Sequence, residues 1–213
     1  MMTPKKITGF FSSLQAEKPD PQGELHYRNT FTLLVAVVLS AQATDKGVNI
    51  ATKPLFKIAD TPEKMAALGE AKVRDYIKTI GLYRNKAKNV IGLSEKLIAE
   101  FNSEVPQNRE DLESLPGVGR KTANVVLNIA FGVPTIAVDT HIFRVSNRTG
   151  LAPGKNVVEV EEALERVVPK KFKLHAHHWM ILLGRYTCKA RKPNCPECPV
   201  EKFCEFEAKE LSA

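Results

Sequence analysis

An all-helical fold is predicted for this chain from three observations. Apolar residues recur at helical spacing, capping residues stand where those stretches begin, and Pro and Gly fall between the stretches. In chain order, FTLLVAVVLSAQA from Phe31 to Ala43 is apolar on every side and reads as a buried helix. Its β-branched residues leave a strand as the alternative. Thr61 followed by Pro62, in cap and first-position order, opens another helix. Asn108 with Asp111 three residues on reads as a capping box ahead of Leu112 and Leu115. VVEVEEALERVV, from Val157 to Val168, lines up its apolar residues at helical spacing and stops at Pro169.

An internal echo runs through the middle of the chain. DYIKTIGLYRNKAKNVIGL, from Asp75 to Leu93, and EDLESLPGVGRKTANVVL, from Glu110 to Leu127, share an order of helix, Gly turn, Lys, Asn and apolar pair. The echo sets Lys86 opposite Lys121 and raises the question of which lysine does chemistry.

The 213 residues, 43% hydrophobic and 26% charged, suffice for one large or two small domains. The longest apolar run, Leu33 to Leu39, falls far short of the ~20 residues of a membrane span. MMTPKKITGFFSSLQ carries lysines, but no sustained apolar stretch or small-residue cleavage site follows, so a reducing, cytoplasmic setting is expected. Lys and Arg number 31 against 24 acids, a net charge of +7 that favours a polyanionic partner. One basic cluster, Arg185, Lys189, Arg191 and Lys192, is interleaved with cysteines.

In 115-LPGVGRKTANVV-126 the proline stops an incoming helix, while Gly117 and Gly119 can take positive φ and bring bare backbone close to a ligand. Leu115 and Val118 would anchor the turn in the core. The N–H groups of the turn and of Arg120 onward would point outward at the positive end of a helix dipole, an arrangement that binds phosphate. On the helix that follows, Lys121, Asn124 and Asn128 share one polar face opposite Val125, Val126 and Ile129. An amine is nucleophilic only when neutral, so a catalytic Lys121 needs its pKa lowered, and the dipole, Arg120 and partial desolvation are expected to act together. Lys86, flanked by Arg84 and Lys88, reads as part of a solvated basic face.

Asp139 ends the apolar run TIAV and precedes HIFRVSNR, where it or Thr140 would cap a helix. His141, alone at a helix start, reads as structural. Four cysteines, Cys188, Cys195, Cys198 and Cys204, lie within seventeen residues as C-x6-C-x2-C-x5-C. That density in a reducing setting argues for a four-thiolate metal site, with zinc and an iron-sulfur cluster both open. The six residues between the first two thiols, KARKPN, would form a basic loop tethered by metal-bound sulfur.

Taken together, these stretches resemble the endonuclease III family of DNA glycosylases. LPGVGRKTANVVL is similar to its helix-hairpin-helix element, and 138-VDTHIFRVSNR-148 and the four cysteines are similar to its other two signatures. With 40-SAQATD-45 and 80-IGLYRNKA-87 the likeness runs from about residue 25 to residue 204. The resemblance implies two helical domains flanking a DNA-binding cleft: a six-helix domain over 23–132, and a cluster domain of 1–22 with 133–213. It implies a [4Fe-4S] cluster on the four cysteines, a Schiff-base nucleophile at Lys121, and at Asp139 a carboxylate that assists departure of the damaged base. It places Gln42 and Leu82 at the gap left by a flipped nucleotide, and Gly117, Val118, Gly119, Arg120, Lys189, Arg191 and Lys192 on the DNA backbone. The activity implied is removal of oxidised pyrimidines from double-stranded DNA and β-elimination 3′ to the abasic site, in a nucleoid-associated setting; monomer is the default, since no sequence feature speaks to an oligomer. The alternatives are a monofunctional adenine-type glycosylase, against which Lys121 counts, and a non-catalytic DNA-binding module.

Overall fold

A computed structural model describes residues 1–209. Among them there is helix and no strand, so the strand alternative for 31–43 is excluded. The chain divides into two compact units, one of Met1–Gly23 with Val133–Ala213 and one of Glu24–Gly132.

The discontinuous unit begins with α1 (Pro4–Glu17), capped by Thr3. The central unit follows with seven helices: α2 (Thr30–Ser40), α3 (Asp45–Ile58), α4 (Pro62–Leu68), α5 (Glu70–Ile77), α6 (Tyr83–Glu100), α7 (Arg109–Glu113) and α8 (Arg120–Phe131). There are seven rather than six because Gly69, at φ 79°, ends α4 and starts α5 in one residue. α2 is buried from Phe31 to Leu39, as its all-round apolar pattern requires. It ends three residues earlier than its composition suggests, because Gln42 turns left-handed at φ 54°. Thr61 caps α4 with Pro62 in first position, and Asn108 caps α7 by accepting from Asp111 N at 2.9 Å.

The internal echo is a backbone repeat at an offset of 35 residues. Ile80 N donates to Ile77 O at 2.9 Å, and Leu115 N donates to Leu112 O at 3.1 Å. Leu82 and Gly117, at equivalent points, both have positive φ, 59° and 78°. Thus α5–turn–α6 and α7–turn–α8 are two hairpins of one design.

The discontinuous unit resumes with α9 (Thr140–Thr149), α10 (Val157–Val167) and α11 (Lys170–Leu182). α11 runs into a π-helical turn, Leu183–Thr187, and a 3-10 turn at Glu201–Phe203 closes the cysteine segment. The core of this unit joins the two ends of the chain. Phe11 stacks on Phe172 at 5.7 Å between centroids, and Trp179 Nε1 donates to Lys18 O at 2.7 Å.

Candidate functional site

In the central unit, the second hairpin is anchored by Leu115 and Val118, both buried. At Gly117 a Cβ would lie 2.8 Å from Asn89 Nδ2, and φ is 78°, so sterics and backbone both require glycine. Gly119 behaves otherwise. It is the extended N-cap of α8, at φ −105°, and a Cβ there would meet nothing within 4 Å. Internal packing does not ask for glycine at 119. No side chain caps α8, so its first N–H groups are left to other partners. Val118 anchors the turn as its place in the hairpin predicts: its side chain is buried, and its N–H donates to Leu115 O at 3.1 Å.

The two lysines exchange the environments expected of them. Lys121, beside Arg120 in the first turn of α8, is exposed, so the protein itself does not desolvate it. The polar face behind it is not open to a ligand: Asn124 and Asn128 are buried, and Asn124 Oδ1 accepts from Arg109 Nε at 3.0 Å. Lys86 is 5% exposed, its Nζ finds no hydrogen-bond partner among the described residues, and burial pushes its pKa down. Arg84 and Lys88 are exposed as expected, but residues two apart on a helix face different ways, and Lys86 shares the inward face of Ala87 and Val90.

Gln42 and Leu82 sit on neighbouring turns, since a Cβ at Gly81 would come within 3.9 Å of Gln42 O. Both are exposed non-glycine residues with left-handed backbone, and Leu82 keeps 58% of its surface in solvent.

In the discontinuous unit, Asp139 caps α9. Its Oδ1 accepts from His141 N and Ile142 N, both at 2.9 Å, and its Oδ2 lies 3.0 Å from His141 Nδ1. His141 is therefore the partner of Asp139, a link that the spacing D-x-H carries in the sequence. Behind it, a Cβ at Gly184 would lie 2.8 Å from His141 Cβ, so glycine lets the π-helical turn close on this pair.

All four cysteines are free thiols and line one cavity together with Arg148, Thr187 and Lys209. Burial pushes Cys198 up to about 11 and raises Cys204 as well. Such thiols become thiolates only where a cation replaces the proton, so the donor set fits a thiolate-bound metal group. Among the described residues no three His, Cys, Asp or Glu side chains form a site for a single metal ion, while all four cysteines line this cavity. Arg144 of α9 donates to Cys188 O (3.1 Å) and Gly184 O (2.8 Å), fixing the start of the loop. Lys189, Arg191 and Lys192 are exposed on it.

An uncapped hairpin with an exposed lysine behind it, and an aspartate capping the helix that holds a four-cysteine loop, define a class of protein. The model of the HhH-GPD superfamily of base excision DNA repair proteins matches residues 35–170. Endonuclease III of Haemophilus influenzae is 58% identical over 98% of this chain and 99% of its own length, and that of Escherichia coli 57% over the same shares. A solved trapped endonuclease III–DNA covalent intermediate superposes with a TM-score of 0.90 at 48% identity, covering 96% of this chain and 97% of that one. A thermostable thymine-DNA glycosylase superposes with a TM-score of 0.83 at 26% identity, covering 95% and 96%. The chain belongs to the endonuclease III family. Among the described residues no helix is long and apolar enough to cross a membrane.

Proposed function

We propose that this protein is a bifunctional DNA glycosylase and abasic-site lyase of base excision repair, acting as a monomer on damaged double-stranded DNA in the cytoplasm, with oxidised pyrimidines as its lesions. The observation that carries this reading is the exposed Lys121 in the first turn of α8, directly behind a glycine hairpin whose helix has no cap of its own. Gly117, Gly119 and Arg120 hold DNA phosphates there, while Val118 serves by burying its side chain and locking the turn. Leu82 enters the stack as a wedge and Gln42 fills the place of the flipped nucleotide. Because Lys121 is open to solvent in the free protein, the desolvation that frees its lone pair comes from the DNA that covers it.

The neutral amine attacks the sugar C1′ and the base departs with its bonding electrons. Asp139 stabilises the positive charge that builds on the sugar. The C1′–O4′ bond then opens, O4′ taking up a proton that the amine gives up, and the C1′=N Schiff base so formed acidifies C2′, whose deprotonation expels the 3′ phosphate. The four cysteines hold a [4Fe-4S] cluster, which supplies a rigid tie for the chain and no step of the reaction. The tie presents Lys189, Arg191 and Lys192 to phosphates on a loop ordered in advance.

Borohydride trapping tests the reading. Turnover on abasic-site DNA in its presence should leave DNA attached to the peptide containing Lys121 and none on Lys86, and Lys121→Gln should bind lesion DNA without trapping. Normal crosslinking by Lys121→Gln would return Lys121 to a phosphate-binding role.

A further inference from the structure

Arg148, in the last turn of α9, makes contacts that neither capping nor packing requires. Its Nη1 donates to Lys189 O at 2.7 Å and lies 3.6 Å from Cys188 Sγ, and its Nη2 donates to Ala190 O at 3.0 Å. The guanidinium lies over the ring of Phe206, 5.0 Å from its centroid. Two carbonyls and a ring fix the planar group, so the N–H edge facing sulfur is held in place. The second cation lining the cavity, Lys209, is engaged in an ion pair with Glu201 at 2.7 Å. The partners of Arg148 among the described residues are carbonyls, a sulfur and a ring, none of which cancels its charge.

We propose that Arg148 is a positioning and tuning residue of the metal centre: through its N–H to the Cys188 sulfur it sets the reduction potential of the thiolate-bound group and slows its loss. The inference rests on reading the four cysteines as ligands of an iron-sulfur cluster. A cationic donor on a metal-bound thiolate draws off electron density and favours the more reduced, more negative state, which raises the potential. The same contact holds the Cys188 sulfur in position, so a sulfur leaving the metal group must also break it. Arg144, four residues earlier on the same helix, supplies a control within the protein. It holds backbone carbonyls of the same segment, Cys188 O and Gly184 O, and not sulfur.

The experiment compares the purified, metal-loaded wild type with Arg148→Gln, Arg148→Lys and Arg144→Gln. Two quantities are read without DNA or activity: the rate of iron release to a ferrous chelator, and the reduction potential by protein-film voltammetry. Arg148→Gln should release iron about tenfold faster, the usual scale for losing an outer-shell partner, and its potential should move negative. Arg148→Lys, shorter but still charged, should show a smaller shift in the same direction. Arg144→Gln should speed release while moving the potential less than Arg148→Gln does. A potential equal to that of the wild type, in whichever Arg148 variant retains iron, overturns the proposal. Wild-type protein that carries zinc and no iron removes the cluster reading itself, and this inference with it.

Discussion

His141 Nδ1 lies 3.0 Å from Asp139 Oδ2, while the other carboxylate oxygen is engaged by two backbone N–H groups at the start of α9. On the function proposed above, this aspartate does two jobs, capping and charge stabilisation, that substitution can separate. Asparagine caps a helix about as well as aspartate, so Asp139→Asn should leave thermal stability nearly unchanged. Base release should nevertheless fall by about 10²-fold or more in single-turnover assays, because the charge that stabilises the sugar cation is gone. His141→Ala, which frees Oδ2 to turn, should slow base release about tenfold, roughly the strength of one charge-assisted hydrogen bond. Undiminished excision by Asp139→Asn would reduce this residue to a cap.

Lys86 should show itself in stability rather than chemistry. Burial lowers its pKa in the folded protein, so between that value and the ordinary 10.5 the unfolded chain binds the extra proton. Wild-type stability should therefore gain on that of Lys86→Met as pH rises through this window, and the variant should be the more stable of the two at pH 7. Denaturant titrations of both proteins from pH 7 to pH 10 measure the difference, and parallel curves would contradict it.

His178 acts in the same direction at the acid end. Burial, reinforced by the nearby charge of His175, brings its pKa down to about 4, so folded protein keeps it neutral where the unfolded chain protonates near 6.5. Stability is lost as pH falls from about 6.5 toward 4, by about 2 kcal/mol once partial exposure is allowed for. His178→Gln should flatten that part of the stability profile, and an unchanged acid limb would assign the loss to other groups.

Replacing Lys189, Arg191 and Lys192 by alanine should weaken binding to damaged and undamaged DNA alike. The plot of log K against log salt should flatten by about 0.9 for each phosphate that the loop no longer neutralises. An unchanged slope would mean that the loop does not touch DNA.

Protein purified without added metal should be yellow-brown from thiolate-bound iron. Stripping the metal should give the same flattened salt dependence as the triple alanine variant, because the loop is ordered through Cys188 and Cys195 at its two ends. Metal-free protein with the full salt slope would show that the loop holds its shape unaided.

Helical class, the buried α2, the capped starts at Thr61, Asn108 and Asp139, and the hairpin at Gly117 were all legible in the sequence, because each depends on neighbours within a few positions. What escaped depends on which faces meet. Lys86 carries the same flanking charges as a surface lysine, and only the packing of α6 in the central unit buries it. Asn124 reads as half of a ligand-facing stripe until Arg109, fifteen residues away, reaches its side chain. Gly119 and Gly117 look alike as letters, yet one is left-handed against Asn89 and the other extended with open space beside it: Gly117 is the first and Gly119 the second. The hold of Arg148 on Cys188, forty positions apart, leaves no local pattern to read.

Stacking of Phe11 on Phe172 has a consequence in time. A ribosome adding roughly 5–20 residues per second takes on the order of ten to thirty seconds to make the stretch between them. For that interval α1 has no core to enter, while the central unit, continuous from Glu24 to Gly132, already has every helix it needs. The hairpin unit is thus expected to fold first on the emerging chain. The unit that carries Asp139 and the cysteines waits for nearly complete synthesis, so a chain cut short before Phe172 is expected to yield a folded hairpin unit without the core of the other.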